Sequence, residues 1–243
     1  MPSTSRAVQE IAPRKKRHEF AGLNESVSLT PVDPNTDEYK QIARYLSSTQ
    51  GHTHHLNAEL LDILRIEKPD NRPTPEYVGQ KMLLWHGTRR NYLTSILNHG
   101  LLKNPPGHDT RHAGMFGRGV YFADSFSKSA AYSMKADNEG TAYIFLAEVS
   151  LGKMFPLFES ESQQVINMIT DAGYHSVKGC GKSTSSKSDH HHNGQHNIPS
   201  GKLEQNPYAT SSLQYNEFIV YDDNRIKLKY LVYIKDNNNG MRV

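Results

Sequence analysis

A carboxylate, an imidazole and two phenols, each beside the end of an apolar run, are the side chains best suited to chemistry. They fall in three segments: His86-Gly87-Thr88, the stretch 117–132 (GRGVYFADSFSKSAAY), and Tyr215-Asn216-Glu217-Phe218-Ile219. A carboxylate such as Glu217 can take a proton or set a negative field against a developing cation, and an imidazole such as His86 can fix a hydroxyl. Each segment alone has a plainer reading. A strand-end histidine is more often a core residue, a Tyr-Phe pair usually packs, and a lone glutamate is usually solvated. Occurring together, in order along one chain, they point to a site.

Other patterns do not hold up. Gly181-Lys182-Ser183 looks like the end of a phosphate-binding loop, but that motif needs a glycine where this chain has Ser176. Gly114, Gly117 and Gly119 precede an apolar run, whereas a dinucleotide fingerprint puts its glycines after a strand and before a helix. His190-His191-His192 and His52, His54 and His55 have no carboxylate or cysteine at ligand spacing, so no metal site is expected. The single cysteine, Cys180, rules out an intrachain disulfide framework.

The elements that must position these residues are legible in outline. The chain has 243 residues, 36% of them hydrophobic, and a mean hydropathy of −0.69. This suggests a modest core with long polar loops. Arg6, Arg14, Lys15, Lys16 and Arg17 against Glu10 and Glu19 account for the whole formal net charge of +3, leaving a neutral body. Residues 1–30 read as a flexible basic tail, able to act as an import signal or to bind nucleic acid weakly, and 31–243 as one domain. The longest apolar stretch, 143–149, cannot cross a bilayer, and the first residues lack a secretory core. The expectation is an intracellular protein, nuclear or cytoplasmic, without a membrane partner and monomeric.

Asn35 and Glu38 have capping-box spacing ahead of Tyr39, Ile42, Ala43 and Leu46, predicting a helix that ends near Gly51. Strands are predicted around 61–66, 81–86, 120–122, 141–149, 213–221 and 226–235. Further helices are predicted at 125–135 and 160–170, and one capped by Asn91 and stopped by Gly100. The Pro-rich stretch 69–75, the segment 103–119 and the polar stretch 182–212 read as loops. Strands and helices do not alternate as βαβ, so the class is α+β with antiparallel sheets.

The three segments together resemble the H-Y-E catalytic set of the poly(ADP-ribose) polymerase family. The resemblance runs over residues 33–234 and includes Thr53-His54, 62–67, 83–87, His175-Ser176-Val177-Lys178-Gly179 and Gly181-Lys182. It implies the ADP-ribosyltransferase fold, two packed antiparallel sheets with flanking helices around a cleft for NAD+. It also implies roles. The Gly87 backbone pairs with the nicotinamide carboxamide, Ser129 adds a hydroxyl to it, Tyr132 stacks on the pyridinium and Tyr121 closes the other side. His86 bonds a ribose hydroxyl, and Glu217 holds the 2′-hydroxyl of the nicotinamide ribose. Thr88, Phe122, Ala123 and Lys128 belong to the same NAD+-binding set, with Glu217, His86 and Tyr121 the catalytic ones.

What the resemblance implies for function is transfer of ADP-ribose from NAD+ to acceptor proteins, this chain included, with extension to a polymer. The alternatives are mono-ADP-ribosylation alone, or a silent NAD+ or ADP-ribose binding module. Nicotinamide leaves a cationic ring as a neutral molecule, so one carboxylate facing an oxocarbenium-like centre suffices. Pro105-Pro106 and the 215–222 stretch are closest to the DNA-responsive branch of the family, while Leu102 replaces its usual basic residue. The segment 182–212 corresponds to the acceptor-side loop. The transferase-like sequence begins near residue 33, without the helical regulatory domain of that branch, so activity independent of DNA is expected.

Overall fold

The computed structural model describes residues 20–51, 56–69, 80–105, 114–134, 140–190, 196–205 and 210–238. Along the chain these form β1 (Ser28–Pro31), α1 (Asp37–Ser48), β2 (Ala58–Glu67), β3 (Gln80–Gly87), a 3-10 turn (Arg90–Tyr92), α2 (Leu93–His99), β4 (Val120–Phe122) and α3 (Phe126–Met134). There follow β5 (Thr141–Gly152), β6 (Met154–Leu157), α4 (Gln163–Asp171), β7 (Ser176–Gly179), β8 (Ser183–Ser185), β9 (Asp189–His190), β10 (Asn197–Ile198), β11 (Leu203–Gln205) and β12 (Glu217–Val220). A second 3-10 turn (Asp223–Arg225) leads into β13 (Ile226–Asp236).

The class is α+β. One sheet has the order β1-β2-β13-β5-β3-β10-β9, a second β4-β12-β7-β6, and β11-β8 form a small ribbon. Pairing is mostly antiparallel, but β6 runs parallel to β7 and β10 parallel to β3, a departure from the wholly antiparallel expectation.

The central strands of the large sheet, β3 and β5, are buried on both faces, which explains their unbroken apolar runs. Successive side chains point to opposite faces. Met82 and Leu84 of β3, with Tyr143, Phe145, Ala147 and Val149 of β5, face the second sheet and pack with Phe122, Phe218 and Val220. Leu83, Trp85, Ile144 and Leu146 face the other way, onto Ile42, Tyr45 and Leu46 of α1 and Phe126, Ala130 and Met134 of α3. Helix α4 covers the outer face of the second sheet through Ile166 and Ile169.

Several expectations need correction. Residues 20–31 are not a flexible leader. Phe20 is 3% exposed and packs edge-on against Tyr143, and β1 pairs with β2. Thr36, not Asn35, caps α1, its hydroxyl accepting the Tyr39 N–H. Glu38 closes no capping box because its carboxylate turns inward to Arg65 and to the Tyr230 hydroxyl, 2.6 Å away. Helix α1 stops at Ser48, and α2 begins after the 3-10 turn with no side-chain cap from Asn91. Gly100 does end α2, at φ 85°. The stretch 182–212 carries four short strands, whose polar sequences hide them from any periodicity. The basic run 14–17, Thr53-His54, residues 70–75 and 106–113, and His191-His192 lie outside the described residues.

Candidate active site

Two backbone bonds join the sheets where the site forms. The Trp85 N–H donates to Ala123 O at 2.9 Å, and the Ala123 N–H donates to Trp85 O at 3.0 Å. Residues two apart on a strand turn their backbone groups to the same edge. Gly87, two beyond Trp85, therefore faces its N–H and C=O away from β5 and past the β4 junction. A donor and an acceptor side by side on one residue match a carboxamide. Glycine is required here for a reason the sequence does not reveal: a Cβ on Gly87 would sit 1.7 Å from the Ser129 carbonyl oxygen.

Helix α3 supplies that carbonyl and four side chains at helical spacing. The Ser129 hydroxyl donates to Trp85 O at 3.1 Å, which leaves its lone pairs for an incoming N–H. One turn on, the Ser133 hydroxyl accepts the Thr88 N–H at 3.0 Å and fixes the chain beyond Gly87. Tyr132, 56% exposed, presents its ring to solvent beside Lys128, whose Nζ is 6.0 Å from the ring centroid.

His86 Nδ1 is 2.9 Å from Tyr121 O. A carbonyl only accepts, so Nδ1 carries the proton, and Nε2 of the neutral ring is an acceptor for a hydroxyl. Burial lowers the His86 pKa despite that bond, which favours the neutral ring. Phe122 packs beside the imidazole, with centroids 5.6 Å apart, and is 2% exposed. Its side chain therefore supports His86 from the core, and Ala123 acts through its backbone; neither side chain is open to a ligand.

The Tyr121 hydroxyl donates to Gly117 O at 2.8 Å and accepts the Phe116 N–H at 2.9 Å, which ties its half-buried ring to the preceding loop. Burial pushes its pKa to about 12, with the Glu217 and Tyr132 groups adding to the rise. Ile219 of β12 sits opposite Tyr121 on β4, and Glu217 begins β12 opposite Gly179 of β7. Glu217 is 7% exposed. One of its carboxylate oxygens lies 2.7 Å from Lys128 Nζ. His86, Gly87, Thr88, Tyr121, Lys128, Ser129, Tyr132 and Glu217 are thus gathered at the ends of β3, β4 and β12 and on one helix.

A family profile for the poly(ADP-ribose) polymerase catalytic domain matches residues 36–236. The chain belongs to the poly(ADP-ribose) polymerase catalytic-domain family. It is 38% identical over 215 residues to poly [ADP-ribose] polymerase 1 of Caenorhabditis elegans, covering 85% of this chain and 22% of that protein. It is 36% identical over 217 residues to poly [ADP-ribose] polymerase 2 of Homo sapiens, covering 86% of this chain and 36% of that protein. With poly [ADP-ribose] polymerase 1 of Arabidopsis thaliana it shares 34% over 214 residues, 85% of this chain and 21% of that one. The chain thus spans between about a fifth and about a third of the length of these relatives.

Within this poly(ADP-ribose) polymerase domain, three contributors escape a reading of the sequence. The Trp85 carbonyl and Ser133 act from positions with no chemical signature. Asp124 lies inside the 117–132 stretch, but nothing in its spacing marks it as buried against Asn216, the neighbour of Glu217. Among the described residues no group of His, Cys, Asp or Glu is arranged to hold a metal ion, and no helix is long and apolar enough to cross a membrane.

Proposed function

We propose that this chain is an NAD+ ADP-ribosyltransferase that breaks the nicotinamide–ribose bond, transfers ADP-ribose to protein side chains including its own, and extends it as a polymer. The observation that carries this reading is the buried Glu217–Lys128 pair facing the same site as the open backbone of Gly87. A silent binding module has no use for a desolvated carboxylate there.

In this reading the Gly87 N–H and C=O and the Ser129 oxygen hold the carboxamide, and the nicotinamide ring stacks on Tyr132 with Tyr121 on its other side. Thr88 continues the cradle. His86 Nε2 accepts from a ribose hydroxyl. The glycosidic bond breaks with its electron pair going to the pyridinium nitrogen, so nicotinamide departs neutral and no acid is needed. Glu217 stabilises the positive ribose carbon and takes the proton of an attacking hydroxyl, while Lys128 keeps the carboxylate in place. Stacking is worth about 0.5–1.5 kcal/mol beyond burial, which serves binding, whereas a base is worth about 10²–10⁴-fold in rate.

The chain turns over without DNA, a reading supported by Tyr132, whose ring is 56% exposed beside Lys128. The basic run at 14–17 serves nuclear import and binds nucleic acid only weakly. Incubation with NAD+ labelled in the adenylate portion tests the proposal. Free nicotinamide with a ladder of labelled protein is expected, at rates unchanged by nicked duplex DNA. A single labelled band would limit the activity to mono-ADP-ribosylation. Tenfold stimulation by DNA would overturn its independence, and no nicotinamide release would overturn the transferase.

A further inference from the structure

Asp124 and Asn216 join the two halves of the site from beneath. Asp124 follows β4 and leads into α3, the helix of Lys128, Ser129 and Tyr132; Asn216 immediately precedes Glu217. The side chains are 3% and 2% exposed, and Asn216 Nδ2 donates to Asp124 Oδ2 at 2.7 Å. Phe218 faces Phe122 in the β12–β4 ladder, so the contact continues that register two residues beyond this pair, in side chains rather than backbone.

The Asn216 amide is held on every side. Its second donor contact is Thr184 Oγ1 at 3.0 Å, and its oxygen accepts the Gly181 N–H at 2.9 Å. Turned over, the amide would set its oxygen against the Asp124 carboxylate, so one orientation is imposed. The backbone on which Glu217 stands is therefore anchored through three contacts to two segments, 181–184 and the stretch between β4 and α3, and of the three contacts Asp124 provides the charged one.

A buried carboxylate is an expensive choice for this task. Among the described residues no other residue hydrogen-bonds the buried Asp124 Oδ1, and Lys178 is a cation that acts on the carboxylate at a distance. A neutral side chain would accept the same bond from Asn216 at lower cost to stability. A costly group kept beside a reactive one points to a role in the reaction rather than in folding.

We infer that Asp124 is a positioning residue for the transfer step: through Asn216 it fixes the Glu217 carboxylate relative to Lys128 and to the ribose of bound NAD+. This rests on the transferase reading above. It predicts a loss confined to turnover, because the carboxamide contacts of Gly87 and Ser129 do not pass through Asn216.

The test is steady-state kinetics of the 243-residue chain and its Asp124→Ala and Asp124→Asn variants. Nicotinamide release, the KM for NAD+, benzamide affinity and the thermal midpoint are measured for each. Asp124→Ala is expected to lower kcat at least tenfold and Asp124→Asn, which keeps an acceptor, by a smaller factor of at least twofold. KM and benzamide affinity should stay within twofold, and the Asn variant should melt no lower than the wild type. A kcat within twofold of wild type in both variants, or binding lost in step with kcat, overturns the inference. If Asp124→Ala does not fold, Asp124→Asn decides on the same criteria. A wild-type chain that binds benzamide but releases no nicotinamide overturns the transferase reading and this inference with it. An active wild type with unaffected variants overturns the inference alone.

Discussion

Lys128 Nζ stands 2.7 Å from a carboxylate oxygen of Glu217, joining the first turn of α3 to the first residue of β12. The two side chains are 21% and 9% exposed, so the pair is largely removed from water. Its partners come from segments nearly ninety residues apart, and the pair holds only if both sheets and α3 are in register. It neutralises Glu217 on one side and leaves the other carboxylate oxygen for chemistry.

Glu217→Gln keeps the shape and removes the charge. Turnover is expected to fall by about 10²–10⁴-fold, the usual worth of a positioned base, with NAD+ binding nearly intact. Lys128→Met should cost roughly ten- to a hundredfold in kcat, since a charge-assisted bond is worth about 1.5–3 kcal/mol. Nicotinamide release gives the rates and NAD+ titration the binding. Polymer synthesis by Glu217→Gln at the wild-type rate would remove this residue from the reaction.

The Ser129 hydroxyl spends its proton on Trp85 O and so meets a ligand as an acceptor. Benzamide, a flat ring with a carboxamide, should compete with NAD+ and lose one hydrogen bond in Ser129→Ala. A neutral bond is worth about 0.5–1.5 kcal/mol, so the inhibition constant should rise roughly two- to tenfold. Inhibition of the variant equal to wild type would place Ser129 outside the carboxamide site.

Much of this could be read from the residues alone, and what could not has definable causes. The apolar runs of β3, β5 and β13 are long because both faces of their sheet are covered, and such strands are plain in a sequence. His86, Tyr121 and Glu217 stand out because the segments around them are distinctive. Strands β8 to β11 are too short and polar to show a period; they are held by pairings such as Asn197 with Met82 of β3 and by the His196–Glu148 contact at 2.9 Å. The steric need for glycine at position 87 depends on a helix forty residues away. Asp124 reads as an ordinary loop aspartate, since only tertiary packing makes it a buried anion.

Phe20 belongs to the folded body. Its ring lies 5.3 Å from that of Tyr143 and packs in the main core. Removal of residues 1–24, harmless if all of 1–30 were a loose tail, should instead destabilise the domain. Phe20→Ala alone should cost about 3 kcal/mol, the lower end for a buried aromatic. Urea unfolding of Phe20→Ala and of the truncated chain tests this; midpoints equal to wild type would put Phe20 outside the core.

The Asp124 carboxyl carries a pH signature of its own. Burial raises its pKa from 3.8 to about 6, against the opposing pull of Asn216 and Lys178. A carboxyl with a raised folded pKa binds its proton more tightly in the native state than in the unfolded one. Its burial therefore costs little below about pH 4, costs progressively more between 4 and 6, and reaches its full penalty above 6. A rise of about two units corresponds to roughly 3 kcal/mol. Asparagine at this position never carries the charge and escapes the penalty. Asp124→Asn should match the wild type near pH 4 and exceed it increasingly up to pH 7, by at most about 3 kcal/mol, less whatever the weaker bond to Asn216 forfeits. Glu148 does not disturb the comparison. Burial would raise its pKa, but the His196 bond with the nearby Lys81 and Lys229 charges holds it down to about 2, equally in both proteins. Urea unfolding of the two at pH 4.5, 6 and 8 measures the difference directly. A variant less stable than wild type at pH 8 would show that the Asp124 charge supports the fold, and would remove the stability cost from which its role in positioning Glu217 is inferred.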